Sequence, residues 1–248
     1  MNIFLFDIDG TLISTLGAGR TALERSMSDG FGVDQKIEPE MILGQTDRGI
    51  AEALFQLHNI ENTAENWHKL QAGYLVHLPQ SLAEREGRIL PNVENLLAEL
   101  ACWPNTHIGL LTGNTRVGAQ VKLQHFNLWH HFTVVGQTRC QNMWTEDTAL
   151  PVPYALGGFG DEHPHRFEVA RQAVSAMEGY LDQQVPPDCV WVIGDTPLDV
   201  RCARAVGAHA VAVCTGWHQA DILAKEEPDL LLDDLSQLPV ELFLRDVS

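Results

Sequence analysis

Basic residues are scarce in this 248-residue chain, and their scarcity excludes several classes of function. Lysine and arginine together number 16, against 33 aspartates and glutamates, so the formal net charge is −17. A protein with this charge repels the phosphate backbone of nucleic acids, which argues against nonspecific binding to them. Any phosphorylated ligand must therefore be held by a local positive site.

Long apolar runs and a cysteine framework are also lacking. No apolar stretch approaches the ~18 residues that a membrane span needs, and the first residues do not have the pattern of a signal peptide. The five cysteines are scattered, odd in number and without metal-ligand spacing. This usage favours a reduced, cytoplasmic protein. The length is sufficient for a sizeable core in one or two domains.

Two carboxylates, one residue apart, follow an apolar segment at the start of the chain. Residues 4–6 are apolar, and Asp7 and Asp9 come directly after them. A short apolar run bounded by turn residues predicts a buried strand of a parallel sheet. Ligands of open α/β sheets bind at the carboxyl ends of such strands. Asp7 and Asp9 are therefore candidates for chemistry.

The same pattern occurs twice more along the chain. The apolar segment 106–111 leads into Thr112, and the apolar segment 190–193 leads into Asp195 and Asp199. If the three strands lie side by side in one sheet, these polar groups meet in one crevice. The alternative is that each polar end only caps the helix that follows. Three such ends in this order favour the shared crevice.

These segments resemble three motifs of the haloacid dehalogenase superfamily. Residues 7–11 are similar to its first motif, residues 111–114 to its second and residues 194–199 to its fourth. Within the superfamily, the pattern resembles the phosphatase branch and its phosphoglycolate-phosphatase-like group. One motif alone is short, but the three together are highly specific and frame nearly the whole chain.

The resemblance implies an α/β fold: a Rossmann-like parallel sheet flanked by helices, with an all-helical cap inserted after the first strand. Residues 1–15 and 84–248 would form the core, and residues 16–83 the cap. Helical apolar spacing and the lack of an evident strand within 16–83 fit this implication. Such a cap would exclude water and select the substrate. Residues 137–155 have few periodic cues and are expected to form a local insertion.

The resemblance also implies phosphoryl transfer through an aspartyl-phosphate. Asp7 would be the nucleophile, and Asp9 the acid that protonates the leaving group and the base that activates water. Clustered carboxylates repel each other and a phosphate unless a cation intervenes, and Mg²⁺ prefers such oxygen ligands. The implied ligands are the Asp7 carboxylate, the Asp9 backbone carbonyl and Asp195. Asp199 would bind directly or through water, or would instead be an acid favoured by a helix dipole.

Phosphate contacts are expected from the second motif and from one basic residue. Thr112 would donate a hydrogen bond to the phosphoryl group, and Gly113 and Asn114 would offer backbone amides at a helix N-terminus. The family's third motif is usually a lysine, and here the sequence departs from that pattern. Arg166, which opens a helical stripe after a Gly-Phe-Gly-Asp loop, is the first candidate, and Lys122 is the fallback.

A turn within the predicted cap provides one further candidate. Residues 44–48 resemble a Gly-x-Thr-Asp turn that faces the active site in related phosphatases. Arg48 would then contact a carboxylate or phosphate of the substrate. The alternative is that these residues form only a capped helix start.

Together these features predict a Mg²⁺-dependent phosphatase that acts on a small phosphorylated metabolite. The alternatives are a phosphomutase of the same superfamily and a non-catalytic binding protein on this fold. A dehalogenase is disfavoured, because it needs no metal and usually lacks the second aspartate. No nucleic-acid or membrane partner is expected. Phosphoglycolate is suggested as substrate by resemblance only, and the sequence does not reveal the oligomeric state.

Overall fold

A computed structural model of the protein describes residues 1–134 and 154–239. The β-strands are β1 (Asn2–Phe6), β2 (Ile13–Ser14), β3 (Arg88–Ile89), β4 (Thr106–Leu111), β5 (Thr133–Val134), β6 (Tyr154–Ala155), β7 (Gly157–Gly158), β8 (Val190–Gly194), β9 (His209–Val213) and β10 (Leu230–Leu232). The α-helices are α1 (Ala18–Phe31), α2 (Asp47–Leu57), α3 (Ala64–Ala83), α4 (Val93–Ala101), α5 (Arg116–His125), α6 (Arg166–Leu181), α7 (Pro197–Ala205) and α8 (Ala220–Ala224). Short 3₁₀ turns are at Pro39–Met41, Trp129–Phe132, Pro187–Cys189 and Leu235–Gln237.

Six of these strands form one parallel sheet in the order β10-β9-β8-β1-β4-β7. The first strand is central, because β1 pairs in parallel with β4 on one side and with β8 on the other. The predicted α/β fold with a parallel sheet is confirmed. Parallel strands end at the same edge of a sheet, so the residues after β1, β4 and β8 are brought together there.

Both faces of the sheet are covered by helices. Successive residues of β1 alternate between two apolar clusters, because side chains along a strand point to opposite faces. Phe4 and Phe6 belong to a cluster with α4 and α5, whereas Ile3 and Leu5 belong to a cluster with α6 and α7. All four side chains are fully buried. This burial on both faces explains why β1 is almost wholly apolar.

Helices α1, α2 and α3 lie between β2 and β3, which pair antiparallel as a two-stranded ribbon. Met27, Phe55 and Leu70, one from each helix, pack in an apolar cluster that does not include the sheet. We call residues 18–83 the helical segment. That residues 16–83 form a cap domain distinct from 1–15 and 84–248 stays a prediction.

The predicted insertion at 137–155 falls almost entirely outside the described residues. Its last two residues are β6, which pairs antiparallel with β5. Within the described part of the chain, no helix has both the length and the apolar character that crossing a membrane requires.

Candidate active site

Three aspartates that follow two neighbouring strands, β1 and β8, meet at the carboxyl edge of the sheet. Asp7 directly follows β1, Asp195 directly follows β8, and Asp199 lies in the first turn of α7. One carboxylate oxygen from each lies within 4.8 Å of the others, and all three residues are buried. The structure thus brings together three of the four predicted metal-binding acids by their side chains. Asp9, the fourth, lines a cavity that Asp7 and Asp195 also line.

Asp195 fits into a space that two glycines leave open. Gly10 has a φ of +84°, which L side chains rarely adopt, and a Cβ there would overlap the Asp195 carboxyl group. A Cβ at Gly216 would overlap the same group. The Thr11 hydroxyl donates a hydrogen bond to Asp195 Oδ1 at 3.2 Å. The Asp-Gly-Thr sequence after β1 therefore provides both the space and an anchor for Asp195.

Asp199 has two sets of partners, one for each of its carboxylate oxygens. Its Oδ2 accepts from the backbone amide and the hydroxyl of Thr196, at 3.0 and 2.7 Å, and completes a capping box at the start of α7. Its Oδ1 accepts from Arg166 at 2.5 Å. Asp199 is thus a helix-capping acid, as one of the two interpretations predicted, and its carboxylate also lies in the cluster; that it binds a metal stays a prediction.

Arg166 joins two acids of the cluster. One guanidinium nitrogen lies 3.1 Å from Asp7 Oδ2 and 2.5 Å from Asp199 Oδ1. Arg166 begins α6 and is buried, so its charge acts in a site with little water. Burial by itself lowers the pKa of Arg166, but Asp199 and Asp7 together hold that pKa above its ordinary value. The side chain is therefore a permanent cation beside Asp7.

Lys122 holds the other acid of the first motif. Its ammonium, on α5, donates to Asp9 Oδ2 and to Asn114 Oδ1, each at 2.6 Å. The Asn114 amide in turn donates to Asp9 at 2.9 Å and to the Thr112 hydroxyl at 2.9 Å. The two basic candidates therefore divide their contacts, Arg166 with Asp7 and Lys122 with Asp9.

The pKa values of the acids differ because their partners differ. Burial raises the pKa of Asp7 to about 6, even though Arg166 lowers it. Burial and the neighbouring carboxylates of Asp199 and Asp7 raise the pKa of Asp195 well above its usual range. Burial also acts to raise the pKa of Asp9, but Lys122 and Asn114 outweigh it, so this pKa is below the ordinary value. The site thus contains one readily ionised acid and two that resist ionisation.

The donor set suits a divalent cation with oxygen ligands. Among the described residues, the ion pairs to the group Asp7, Asp9, Asp195 and Asp199 come from two cations, Arg166 and Lys122, when all six side chains are ionised. Two negative charges are then uncompensated in a buried cluster, which is costly. A dication would balance them and favour the ionised carboxylates that a metal needs. The residues therefore fit a Mg²⁺ site.

The second-motif residues lie at different depths. Gly113 and Asn114 line a cavity above the acids, whereas Thr112 is fully buried and does not line it. The backbone of Gly113 is pressed against that of the helical segment, since a Cβ there would overlap the carbonyl oxygen of Gln45. Thr112 fixes the position of the Asn114 side chain, because its hydroxyl accepts a hydrogen bond from the Asn114 amide group.

Arg48 lies away from the cavity. Its guanidinium is 5.1 Å from the ring centroid of Trp67 and donates to Asn62 at 3.2 Å, both within the helical segment. The structure thus does not bring Arg48 to the acids. Its neighbour Asp47 lines the cavity instead and accepts a hydrogen bond from the Thr115 amide at 2.7 Å. The turn at 44–48 therefore joins the helical segment to the sheet edge through Asp47.

Asp47 is a site residue that the sequence analysis did not single out. Its backbone amide donates to the Gly113 carbonyl at 2.7 Å, so main chain and side chain both bind the loop after β4. Burial raises the pKa of Asp47 to about 6. The available signal was the turn itself, in which Thr46 caps α2 by accepting from the Gly49 amide at 3.0 Å.

A cavity of about 490 Å³ lies between the acids and the helical segment. Asp7, Asp9, Asp195, Arg166 and Lys122 line one side of it. The other side is formed by α1, α2, α3 and the turn around Pro39. A ligand in this space would contact the acid cluster and the helical segment at once.

Fold and site together define an α/β protein with a buried acid cluster at the carboxyl edge of its sheet. The family model described as haloacid dehalogenase-like hydrolase matches residues 4–142, and a second model, described as HAD-hydrolase-like, matches residues 159–238. The chain therefore belongs to the haloacid dehalogenase-like hydrolases. The resemblance drawn from the three motifs is confirmed.

Named relatives extend over nearly the whole chain. Phosphoglycolate phosphatase of Synechococcus elongatus is 26% identical over 243 residues, which cover 96% of this chain and 95% of that protein. A protein described as probable phosphatase IndB, of Dickeya dadantii, is 25% identical over 240 residues, or 95% and 91% of the two chains. The solved structure of CbbY of Rhodobacter sphaeroides has a TM-score of 0.66 and 17% identity, and covers 96% of both chains. At that identity the solved structure shows the fold alone.

Proposed function

We propose that this hydrolase is a Mg²⁺-dependent phosphatase that removes phosphate from a small phosphorylated metabolite through an aspartyl-phosphate on Asp7. One observation supports it most. The Asp7 carboxylate faces the cavity with the Arg166 cation 3.1 Å away and two further acids within 4.8 Å. The printed names of two relatives, phosphoglycolate phosphatase and probable phosphatase, are in line with this activity.

In the first step, an Asp7 carboxylate oxygen attacks phosphorus. A bond forms between Asp7 and phosphorus while the bond to the leaving oxygen breaks, and that oxygen takes a proton from Asp9. Arg166 stabilises the negative charge of the transferring phosphoryl group, since it already lies beside Asp7. The backbone amides of Gly113 and Asn114 bind phosphoryl oxygens at the start of the helical turn.

In the second step, water attacks the phosphorus of the aspartyl-phosphate. Asp9, now ionised, takes a proton from the water, and the bond between Asp7 and phosphorus breaks to release phosphate. The Lys122 contact favours the ionised form of Asp9, which suits this base role; the acid role in the first step is carried by the minority of molecules in which Asp9 is protonated. Asn114 holds Asp9 in place from the other side.

Magnesium would be held by the Asp7 and Asp195 carboxylates and by the Asp9 backbone carbonyl. It would neutralise the acids and the phosphate charge during transfer. Both oxygens of Asp199 already have protein partners, so we propose that Asp199 acts through water and through its hold on Arg166. Residues 16–83 would act as a cap that covers the reacting groups.

The test is the pair of variants Asp7→Asn and Asp188→Asn, assayed for free phosphate with Mg²⁺ and a panel of phosphorylated metabolites. We expect Asp7→Asn to lose turnover and Asp188→Asn to keep it, because Asp188 is exposed and lies on a 3₁₀ turn before β8. Circular dichroism and the melting temperature verify folding. Intact-mass analysis after acid quenching should detect one added phosphoryl group in the wild type and none in Asp7→Asn.

Full activity in Asp7→Asn would contradict the proposed nucleophile. Transfer of phosphate between substrate positions without release of free phosphate would indicate the phosphomutase alternative. A well-folded wild type that binds phosphorylated metabolites but hydrolyses none would indicate a binding protein.

A further inference from the structure

The side of the cavity opposite the acids is mostly apolar. Six aliphatic or aromatic side chains of the helical segment line it: Leu23, Ile42, Leu43, Ile50, Trp67 and Leu70. Cavities of roughly 300–1,000 Å³ enclose drug-sized ligands, and this one has about 490 Å³. A two-carbon ester of phosphate has no apolar surface for such a wall and would leave much of the space to water.

Arg20 is an unpaired cation in this wall. It is half-buried and lines the cavity, yet no described residue forms a hydrogen bond or ion pair with its side chain. Other arginines of the same segment do have partners: Arg25 lies 2.7 Å from Glu84, and Arg48 donates to Asn62 at 3.2 Å. In a chain with a net charge of −17, a cation without an acidic partner is available to a ligand.

Arg20 is close to the leaving-group side of the acid cluster. Its chain neighbour Gly19 packs against Lys122, since a Cβ at Gly19 would lie 3.3 Å from the Lys122 ammonium. That ammonium is 2.6 Å from Asp9, the proposed proton donor to the leaving oxygen. Consecutive Cα atoms are about 3.8 Å apart, so the backbone of Arg20 lies close to that of Gly19, and the Arg20 guanidinium lines the same cavity beside Gly17.

A single guanidinium fits a carboxylate better than a second phosphate at this place. Arginine binds either group with two parallel hydrogen bonds. A carboxylate carries one charge, which Arg20 balances, whereas a phosphate dianion would add an uncompensated charge to a cavity that already contains four acids. The apolar residues beside Arg20 would enclose a hydrocarbon body between the two ends of the ligand.

We infer that the substrate is a phosphomonoester whose leaving group joins an apolar body to a carboxylate, with the carboxylate bound by Arg20. This rests on the proposed phosphatase function and names its substrate class. Arg20 is then a specificity residue, and the apolar wall disfavours a leaving group as small as glycolate.

Three probe esters separate the two parts of this assignment. Phosphoglycolate has the carboxylate alone, 2-phenylethyl phosphate has the apolar body alone, and 2-phosphooxy-3-phenylpropanoate has both. With Mg²⁺ present, we expect kcat/KM of the wild type to be at least about tenfold higher for the third ester than for either of the others, given typical gains from a paired charge and from apolar contact.

The variant Arg20→Met tests the carboxylate contact. The ratio of kcat/KM for 2-phosphooxy-3-phenylpropanoate to that for 2-phenylethyl phosphate should fall at least about tenfold, mainly through KM, and Arg20→Lys should recover part of it. Arg25→Met is the matched control on the same helix, since Arg25 is paired with Glu84 and does not line the cavity. Its ratio should stay at the wild-type value.

Each other outcome has a distinct meaning. A preference for phosphoglycolate, or an equal loss on both phenyl esters in Arg20→Met, overturns this inference and leaves the phosphatase intact. Faster hydrolysis of a sugar bisphosphate than of the phenylpropanoate ester overturns the carboxylate assignment. Failure of the wild type to hydrolyse any phosphate ester overturns the proposed function, and this inference with it.

Discussion

The ammonium of Lys122 lies 2.6 Å from a carboxylate oxygen of Asp9, while the guanidinium of Arg166 lies 3.1 Å from Asp7. Each acid of the first motif thus has its own cation. The two cations come from different helices, α5 and α6, on opposite faces of the sheet. Their effects on the reaction should therefore be separable by mutation.

Replacing Lys122 by methionine should impair Asp9 without removing it. We expect kcat to fall by about 10²-fold, because a proton-transfer residue contributes roughly 10²–10⁴-fold and here loses its position. The pKa of Asp9 should rise, since Lys122 lowers it. Steady-state kinetics and carboxyl ¹³C NMR measure the two effects. Lys225→Met, at an exposed lysine directly after α8, is the control. An unchanged Asp9 pKa in Lys122→Met would contradict the contact between Lys122 and Asp9.

Replacing Arg166 by methionine should have a larger effect. Asp7 and Asp199 would both lose a buried partner, so the free energy of unfolding should fall by about 3–5 kcal/mol. We expect kcat to fall by at least about 10³-fold, and Arg166→Lys to retain more activity. Urea unfolding and phosphate release measure these. Arg171→Met, exposed on the same helix, should change neither; a similar loss there would indicate a general effect on α6.

Without metal, the protein should lose stability as pH rises from about 4 to 6. Burial raises the pKa of Asp7 from an ordinary 3.8 to about 6 in the folded state, and raises that of Asp195 as well. The folded state then binds more protons than the unfolded state in this window, so the free energy of unfolding falls with increasing pH. Thermal melts in EDTA at pH 5 and pH 7 measure this difference.

Adding Mg²⁺ should raise the melting temperature more at pH 7 than at pH 5, because the ligands must be ionised. At a concentration 100 times Kd, the stabilisation is about 2.7 kcal/mol. Asp195→Asn should greatly reduce the response, whereas Asp188→Asn should not. An equal response in Asp195→Asn would show that magnesium binds elsewhere.

Replacing Asp47 by alanine should loosen the helical segment from the sheet edge. The lost hydrogen bond joins a carboxylate to the Thr115 amide at 2.7 Å, and such bonds contribute about 1.5–3 kcal/mol. We expect the Thr115 amide to exchange its hydrogen about 10-fold to 100-fold faster, and KM to rise. Asp47→Asn keeps an acceptor and should show a smaller change. Equal exchange in wild type and Asp47→Ala would exclude this contact in solution.

The sequence was sufficient to predict the fold class and the meeting of the acids, because both follow from strand ends. Apolar runs that stop at Asp7 and Asp195 indicate parallel strands, and the ends of neighbouring parallel strands share one edge. Arg166 could also be predicted from the sequence, since it begins a helix with a clear apolar stripe. For these residues, the local apolar pattern identifies a strand end or helix start, and that end or start sets the place of the residue in the fold.

The contacts of Asp47 and Lys122 could not be predicted from the sequence in the same way. Asp47 and Arg48 are adjacent in α2, and successive helical residues point about 100° apart, so only the docked position of the helix decides which one faces the acids. Lys122 lies within a helix whose pattern gives no sign of Asp9, 113 residues earlier. Contacts of this kind depend on how two distant elements pack, which periodicity does not encode.

The central place of β1 also has a consequence for biosynthesis. Residues 2–6 are synthesised well before their partners, since Asn2 pairs with Thr106 and Ile3 with Val190. A nascent chain must therefore keep an almost wholly apolar pentapeptide unpaired until residue 190 and those after it have been made. During that interval the segment is exposed to aggregation and to capture by chaperones. The strand that leads into Asp7 is thus also one whose pairing is completed only after Val190 has been made.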